Sequence, residues 1–249
     1  FTPDDSKGWV AEGRDGQRTR LHPKRMVHGA TGIALVYIPA GEFVMGSPET
    51  EQDRRDDEQQ HRRVIRRAFY IGETEVTQAQ WVRVMGNNPS GFKGDDRLPV
   101  EWVSWDDCQQ FVQRAGGELR LPSEAEWEYA CRAGTTTRYW SGDTEADLSR
   151  AGWHWRNSDR RTHVVGSKAA NAFGLYDVHG NVLEWCQDAL ADYPVTGSEA
   201  PKQGDGVRVV RGGSWDSGSG SCRAAFRGGN DPGIRDISVG CRPARTTAE

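Results

Sequence analysis

A chain of 249 residues, 35% hydrophobic and 27% charged, is long enough to bury one large core or two small ones. Its longest apolar runs, such as Ile33 to Ile38, fall far short of the roughly 20 residues a membrane helix needs, which excludes a spanning helix. A net charge of -4 gives no basic footprint for nucleic acid. An initial Phe1 fits a trimmed or processed chain, and the sequence assigns no compartment. Ten tryptophans among 30 glycines suggest a loop-rich chain whose core rests on a few large aromatics, with Trp102, Trp105, Trp127 and Trp185 expected as pillars. The five cysteines are widely spaced and form no CxxC pair, so reduced thiols are expected. Cys222 with Cys241 is the one pair worth checking.

Residues 1–30 are charged and lack a hydrophobic period, and they read as a loosely docked leader. Residues 31–249 then read as a single α+β domain. Ile33 to Gly46 predicts two short strands around a Pro-Ala-Gly turn. The mixed-charge run that follows reads as a solvated loop leading into a strand over Val64 to Ile71. Three helices have legible starts. Thr77 with Gln80 precedes Trp81, Ser104 precedes Trp105, and Ser123 with Glu126 precedes Trp127. From Arg138 onward the helical period disappears, and Gly, Asn, Asp, Ser and Trp dominate.

Six motifs follow in order: IPAGEFVMGS, ETEVTQAQW, LPVEWVSWDDCQQF, LRLPSEAEWEYACRAG, NAFGLYDVHGNVLEW and VRVVRGGSW. Together they resemble the formylglycine-generating (sulfatase-modifying factor) family across residues 33–245. The resemblance implies a C-type-lectin-type fold with few helices and short antiparallel strands. Function must still be argued from the site.

The oxidase of that family uses copper held by two thiolates just after its Gly-Gly-Ser strand, a soft-ligand arrangement suited to Cu(I). Here the position matching the first thiolate is Ser217. The second falls near Cys222 by count, or is lost if Arg223 and Arg227 align with the family's arginine pair. In either case one ligand is missing, and no copper is expected. The family's sulfoxide synthases bind iron through three histidines in an added domain. The six histidines here show no matching HxxxHxE spacing.

GLYDVHGNVLEW resembles the family's calcium-binding turn. The resemblance implies a structural Ca²⁺ held by the Asp177 and Glu184 side chains and the Gly180 and Val182 carbonyls. A glycine-containing turn flanked by carboxylates offers the hard oxygens calcium requires. The plainer reading is that Asp177 and Glu184 cap turns.

Residues 207–247 contain no Lys, Glu, Gln or Met. The stretch about 207–242 resembles the variable segment of proteins diversified by retroelements. There, adenine-directed randomisation of asparagine codons yields NNY codons, which never encode Lys, Glu, Gln, Met or Trp. On that resemblance Trp215, Arg223, Arg227, Pro232, Gly240 and Arg242 are fixed scaffold. The diversified, ligand-binding positions are Asp216, Ser217, Gly218, Gly220, Ser221, Phe226, Gly228, Gly229, Asn230, Gly233, Ile234, Asp236, Ile237 and Ser238. The family usually has Phe where Cys241 stands here. Arg223, Arg227 and Arg242 are expected to hydrogen-bond loop carbonyls. The function implied is non-catalytic binding of a protein or other macromolecule through this patch. The alternatives are a copper oxidase acting on peptide cysteine and a non-diversified structural relative.

Overall fold

The computed structural model describes residues 1–12, 20–193 and 206–247. The predicted capping boxes form. Thr77, Ser104 and Ser123 each accept a hydrogen bond from the third helical residue, whose side chain reaches back to the cap. They open α1 (Gln78–Met85), α2 (Trp105–Ala115) and α3 (Glu124–Arg132). A fourth helix, α4 (Glu145–Ala151), lies where no helical pattern was expected. Its seven residues bury only Leu148 and Ala151, too few to establish a period. Its Thr144–Asp147 capping box was the available signal.

Six short strands form one antiparallel sheet, in the order Thr2–Pro3, Arg25–Val27, Ala34–Ile38, Phe69–Gly72, Ala244–Thr246, Leu119–Arg120. A second sheet has the order Gly228–Asn230, Arg208–Arg211, Leu183–Ala189, Val239–Gly240, and only its last pairing is parallel. The expected α+β class, with few helices and short, mostly antiparallel strands, is thus present. Ala34–Ile38 and Gly41–Met45 bracket the predicted turn without pairing with each other. The first joins the large sheet and the second pairs with His61–Ile65.

Three expectations need correction. The stretch read as a leader supplies two strands of the large sheet, because Met26 packs into the core and Val27 pairs with both Thr2 and Ala34. The strand expected over Val64 to Ile71 is two, broken after Ile65, and Phe69–Gly72 is buried throughout. All five cysteines are free and buried, but Cys222 and Cys241 lie in different core clusters. Cys241 instead neighbours Cys108, and burial raises the Cys108 thiol well above its ordinary value, with Cys241 adding to the rise.

Trp127 and Trp185 are buried pillars. Their indole N–H groups donate to Glu184 Oε2 at 2.6 Å and to the Val103 carbonyl at 3.0 Å. Trp105 is half-buried against the core and donates to the Cys186 carbonyl. Trp102 is no pillar: it is 45% exposed, at φ 64°. A left-handed bulky residue is strained by on the order of 1–3 kcal/mol, held here by buried flanks at Glu101 and Val103.

Candidate functional site

The C-terminal segment leaves the second sheet at Arg211, passes Gly212 and Gly213 with φ of 95° and 74°, and loops over the scaffold. A Cβ at Gly213 would lie 2.6 Å from Cys222 Sγ and 3.0 Å from backbone, so glycine is required at this turn.

Four buried arginines fasten the segment. Arg211 pairs with Glu128, which Arg132 also meets at 2.9 Å. Arg223 forks onto Glu58, reaches Glu51 at 2.6 Å, and donates to the carbonyls of Gly220 and Asp53. Arg227 forks onto Glu124 at 2.6 and 2.9 Å and donates to the carbonyls of Asp57 and Ala191. Arg242 grips Glu184 and donates to the carbonyls of Gly72 and Tyr176. The arginines expected on loop carbonyls thus bind carboxylates as well, as buried guanidinium ions require. Burial raises the Glu58 carboxyl, but Arg223 and Ser47 outweigh it and hold the group below its ordinary range. Glu58 and Glu51 belong to the mixed-charge run read as a solvated loop. That reading is corrected: Glu58 is fully buried, because it is the counter-ion of Arg223.

The candidate variable positions lie between these anchors. All are exposed or half-buried except Ser238. Ser238 instead braces a turn, its N–H and Oγ donating to Asp236 Oδ1 at 2.8 and 2.5 Å. Of the residues expected as fixed, Trp215, Arg223, Arg227, Gly240 and Arg242 are buried, and Pro232 is half-buried. Gly218 faces open space, and a Cβ at Gly233 would meet only Asp231 Oδ1, at 3.4 Å. Gly220, Gly228 and Gly229 are tighter. A Cβ there would lie 3.0 Å from Asp53, 2.8 Å from Val210 and 2.6 Å from Leu190.

Gly218, Gly220, Ser221 and Phe226 line an open cleft of about 370 Å³ together with Ser219, Asp53 and Arg55. The Arg55 guanidinium lies 5.6 Å from the Phe226 ring centroid, a loose cation–π contact. Sequence reasoning missed Asp53, Arg55 and Ser219. No local pattern marks the first two, since their approach depends on the Arg223–Glu58 pair. The other positions lie elsewhere: Trp102 N–H donates to the Asp236 carbonyl, and Trp155 N–H to the Ser217 carbonyl. Trp215 bridges the two regions, its carbonyl accepting from Ser158 Oγ and its indole N–H donating to the Ile237 carbonyl.

At the position matched to the first copper thiolate, the Ser217 hydroxyl sits 2.8 Å from Ser214 Oγ. Cys222 is buried, and burial pushes its thiol up to about 12. Cu(I) favours two thiolates, and of this pair only Cys222 carries sulfur while Ser217 offers a hydroxyl.

The calcium donors fit unevenly. Asp177 Oδ1 and both Glu75 oxygens are buried and lack a hydrogen-bond partner among the described residues. Burial raises both acids: Glu75 sits well above its ordinary value, with Asp177 as the next cause, while Asp177 is raised to about 6 by burial, partly offset by the Gly166 N–H and by Arg242. Buried carboxylate oxygens of this kind are the hard donors that a hard cation prefers. Glu184 does not fit in the same way, because its oxygens are engaged by Arg242 and by the Trp127 indole. Among the described residues no three His, Cys, Asp or Glu side chains form a metal-holding group, so backbone carbonyls such as those of Gly180 and Val182 would be needed. No helix among them is long and apolar enough to cross a membrane.

Comparison with known proteins places this geometry in context. The chain is 31% identical to the chaperone protein LppX of Paenibacillus barcinonensis, over 68% of this chain and 79% of that protein. It is 30% identical to the formylglycine-generating enzyme of Streptomyces coelicolor, over 84% of this chain and 88% of the enzyme. Among solved structures, Treponema denticola variable protein 1 superposes with a TM-score of 0.78 at 31% identity, covering 90% of this chain and 99% of that one. The model of the sulfatase-modifying factor enzyme 1-like domain matches residues 23–247. On fold, motif order and this match, the chain belongs to the sulfatase-modifying factor enzyme 1-like domain family.

Proposed function

We propose that the protein is a non-catalytic binding protein that displays a diversified C-terminal surface to a protein or other macromolecular ligand. The carrying observation is the agreement between the fixed-and-variable division implied by the resemblance and burial. Every candidate variable position except Ser238 faces solvent or is half-buried, while the residues expected as fixed scaffold are, apart from half-buried Pro232, buried. Similarity to Treponema denticola variable protein 1 supports the same reading. Buried arginine–glutamate pairs hold the backbone, so side chains at open positions between them, such as Gly218, can change without moving it. Small polar residues then adapt to a ligand while a few aromatics anchor it.

The second reading is an oxidase of peptide cysteine, favoured by the 30% identity to the Streptomyces enzyme. The Ser217 hydroxyl, standing where the first thiolate is expected, weighs against it. Titration with Cu(I) and assay with a cysteine-containing peptide test the choice. The binding reading predicts neither stoichiometric tight copper binding nor turnover, and both together would overturn it. A structural Ca²⁺ held by the Asp177 side chain and the Gly180 and Val182 carbonyls is part of this proposal. It would pin a turn whose Asp177 and Asn181 both have positive φ.

A further inference from the structure

The region around Trp102 combines an exposed indole with carboxylates that form no ion pair among the described residues. Trp102 N–H is tied to the Asp236 carbonyl at 2.9 Å, and Trp105 N–H to the Pro232 carbonyl at 3.0 Å. The start of α2 and the run from Asp231 to Ile237 therefore form one surface. Ile234 on this surface is 47% exposed. Asp106, Asp231 and Asp236 are exposed, and none has a cation within ion-pair distance among the described residues. The nearby Arg235 is committed elsewhere: its guanidinium forks onto Asp107 at 2.7 and 2.8 Å. Arg208 lies 4.2 Å from the Trp105 ring centroid, stacked on that indole.

Two of the carboxylates are also fixed in direction. Asp231 Oδ1 accepts from Gly233 N–H at 2.9 Å, and Asp236 Oδ1 accepts from Ser238 N–H at 2.8 Å. The Trp102 backbone is set at a positive φ between the buried residues Glu101 and Val103. An exposed aromatic ring beside carboxylates that form no ion pair has the chemistry of a cation receptor.

We propose that Trp102, outside the diversified segment, is a permanent ligand anchor, and that in this variant it forms a subsite with Asp106, Asp231 and Asp236 for an arginine or lysine side chain of a protein ligand. The ring would receive the charged head by cation–π attraction, the carboxylates would pair with it, and Ile234 would cover the aliphatic stem. This rests on the binding reading and adds to it a partner chemistry: a basic segment. Diversification at Asp231, Ile234 and Asp236 would retune the subsite around an unchanged indole.

The test uses a short peptide of alternating arginine and glycine, titrated into protein carrying ¹⁵N-labelled tryptophan. Its control is the matching glutamate–glycine peptide. The Trp102 indole resonance is assigned by its absence in Trp102→Phe. The expected result is a saturable shift of that resonance with the arginine peptide alone. Affinity should fall about fivefold in Asp231→Asn/Asp236→Asn, whose amide oxygens keep the turn bonds, and fall again in about 0.5 M salt. An unmoved Trp102 resonance, or equal shifts with the glutamate peptide, would overturn the subsite. Such a failure leaves diversification intact, because that is tested separately in the coding DNA. Binding at Trp102 without any template copy would instead keep the subsite and remove diversification.

Discussion

The Arg223 guanidinium forks onto the Glu58 carboxylate with two nitrogen–oxygen distances of 2.7 Å, joining the C-terminal segment to a charged run 165 residues earlier. Both side chains are fully buried. Removing one partner strands the other, so Glu58→Ala and Arg223→Ala should each destabilise by about 3–5 kcal/mol. The double variant should lose less than the sum. Urea unfolding of the three variants measures this. An additive double variant would mean the pair does not fasten the segment.

Acid sensitivity follows from the same anchors. The Glu58 and Glu128 carboxyls are held below their ordinary range, because arginine pairing outweighs the burial that raises them. A carboxyl depressed in the folded state contributes stability above its unfolded pKa and loses it as pH falls through the folded value. Thermal stability should therefore decline from about pH 4.5 downward. A melting series from pH 7 to pH 3 on Glu58→Gln, set against the parent, should show a shallower acid decline in the variant.

Tolerance to substitution should track space around each glycine. Gly218 faces solvent, so Gly218→Ser should change stability by less than about 0.5 kcal/mol. Gly213→Ala places a Cβ 2.6 Å from Cys222 Sγ at a positive φ and should cost about 1–3 kcal/mol or more. Gly228 and Gly229 should fall between, since the side chains of Val210, Leu190 and Val207 can give way. Equal tolerance at Gly218 and Gly213 would contradict the fixed-and-variable division.

Calcium gives a discriminating pair of variants. If Asp177 holds the ion, chelation should lower the melting temperature of the parent and leave Asp177→Ala unmoved. Glu184→Gln should destabilise with or without chelator, because its main partner is Arg242. A parent that melts identically in calcium and in chelator would remove calcium from the proposal.

How much could be read from sequence depended on the range of the interaction. Thr77, Ser104 and Ser123 announced their helices because a cap and its partner lie three residues apart. The buried identities of Trp127 and Trp185 followed from motif and size. Trp102 sits in an equally aromatic stretch, yet its left-handed backbone turns it outward, and no periodicity reports a φ angle. The charged run misled because its composition matches a solvated loop, while Glu58 is buried by a partner far along the chain. Ser238 fits the NNY pattern as well as its neighbours do, and only its hydrogen bonds to Asp236 show a bracing role.

The central claim is that the exposed positions after Val207 are diversified while the buried ones are held. The coding DNA after Val207, compared with its flanking DNA, tests it most directly. The account predicts a near-copy of the segment beside a reverse transcriptase gene, differing only at template adenines. Those differences should fall in codons for exposed residues such as Asp216, Ile234 and Asp236, and spare those for Trp215, Arg223 and Arg242. Flanking DNA with no such copy, or a copy that differs at the buried arginines, would contradict it.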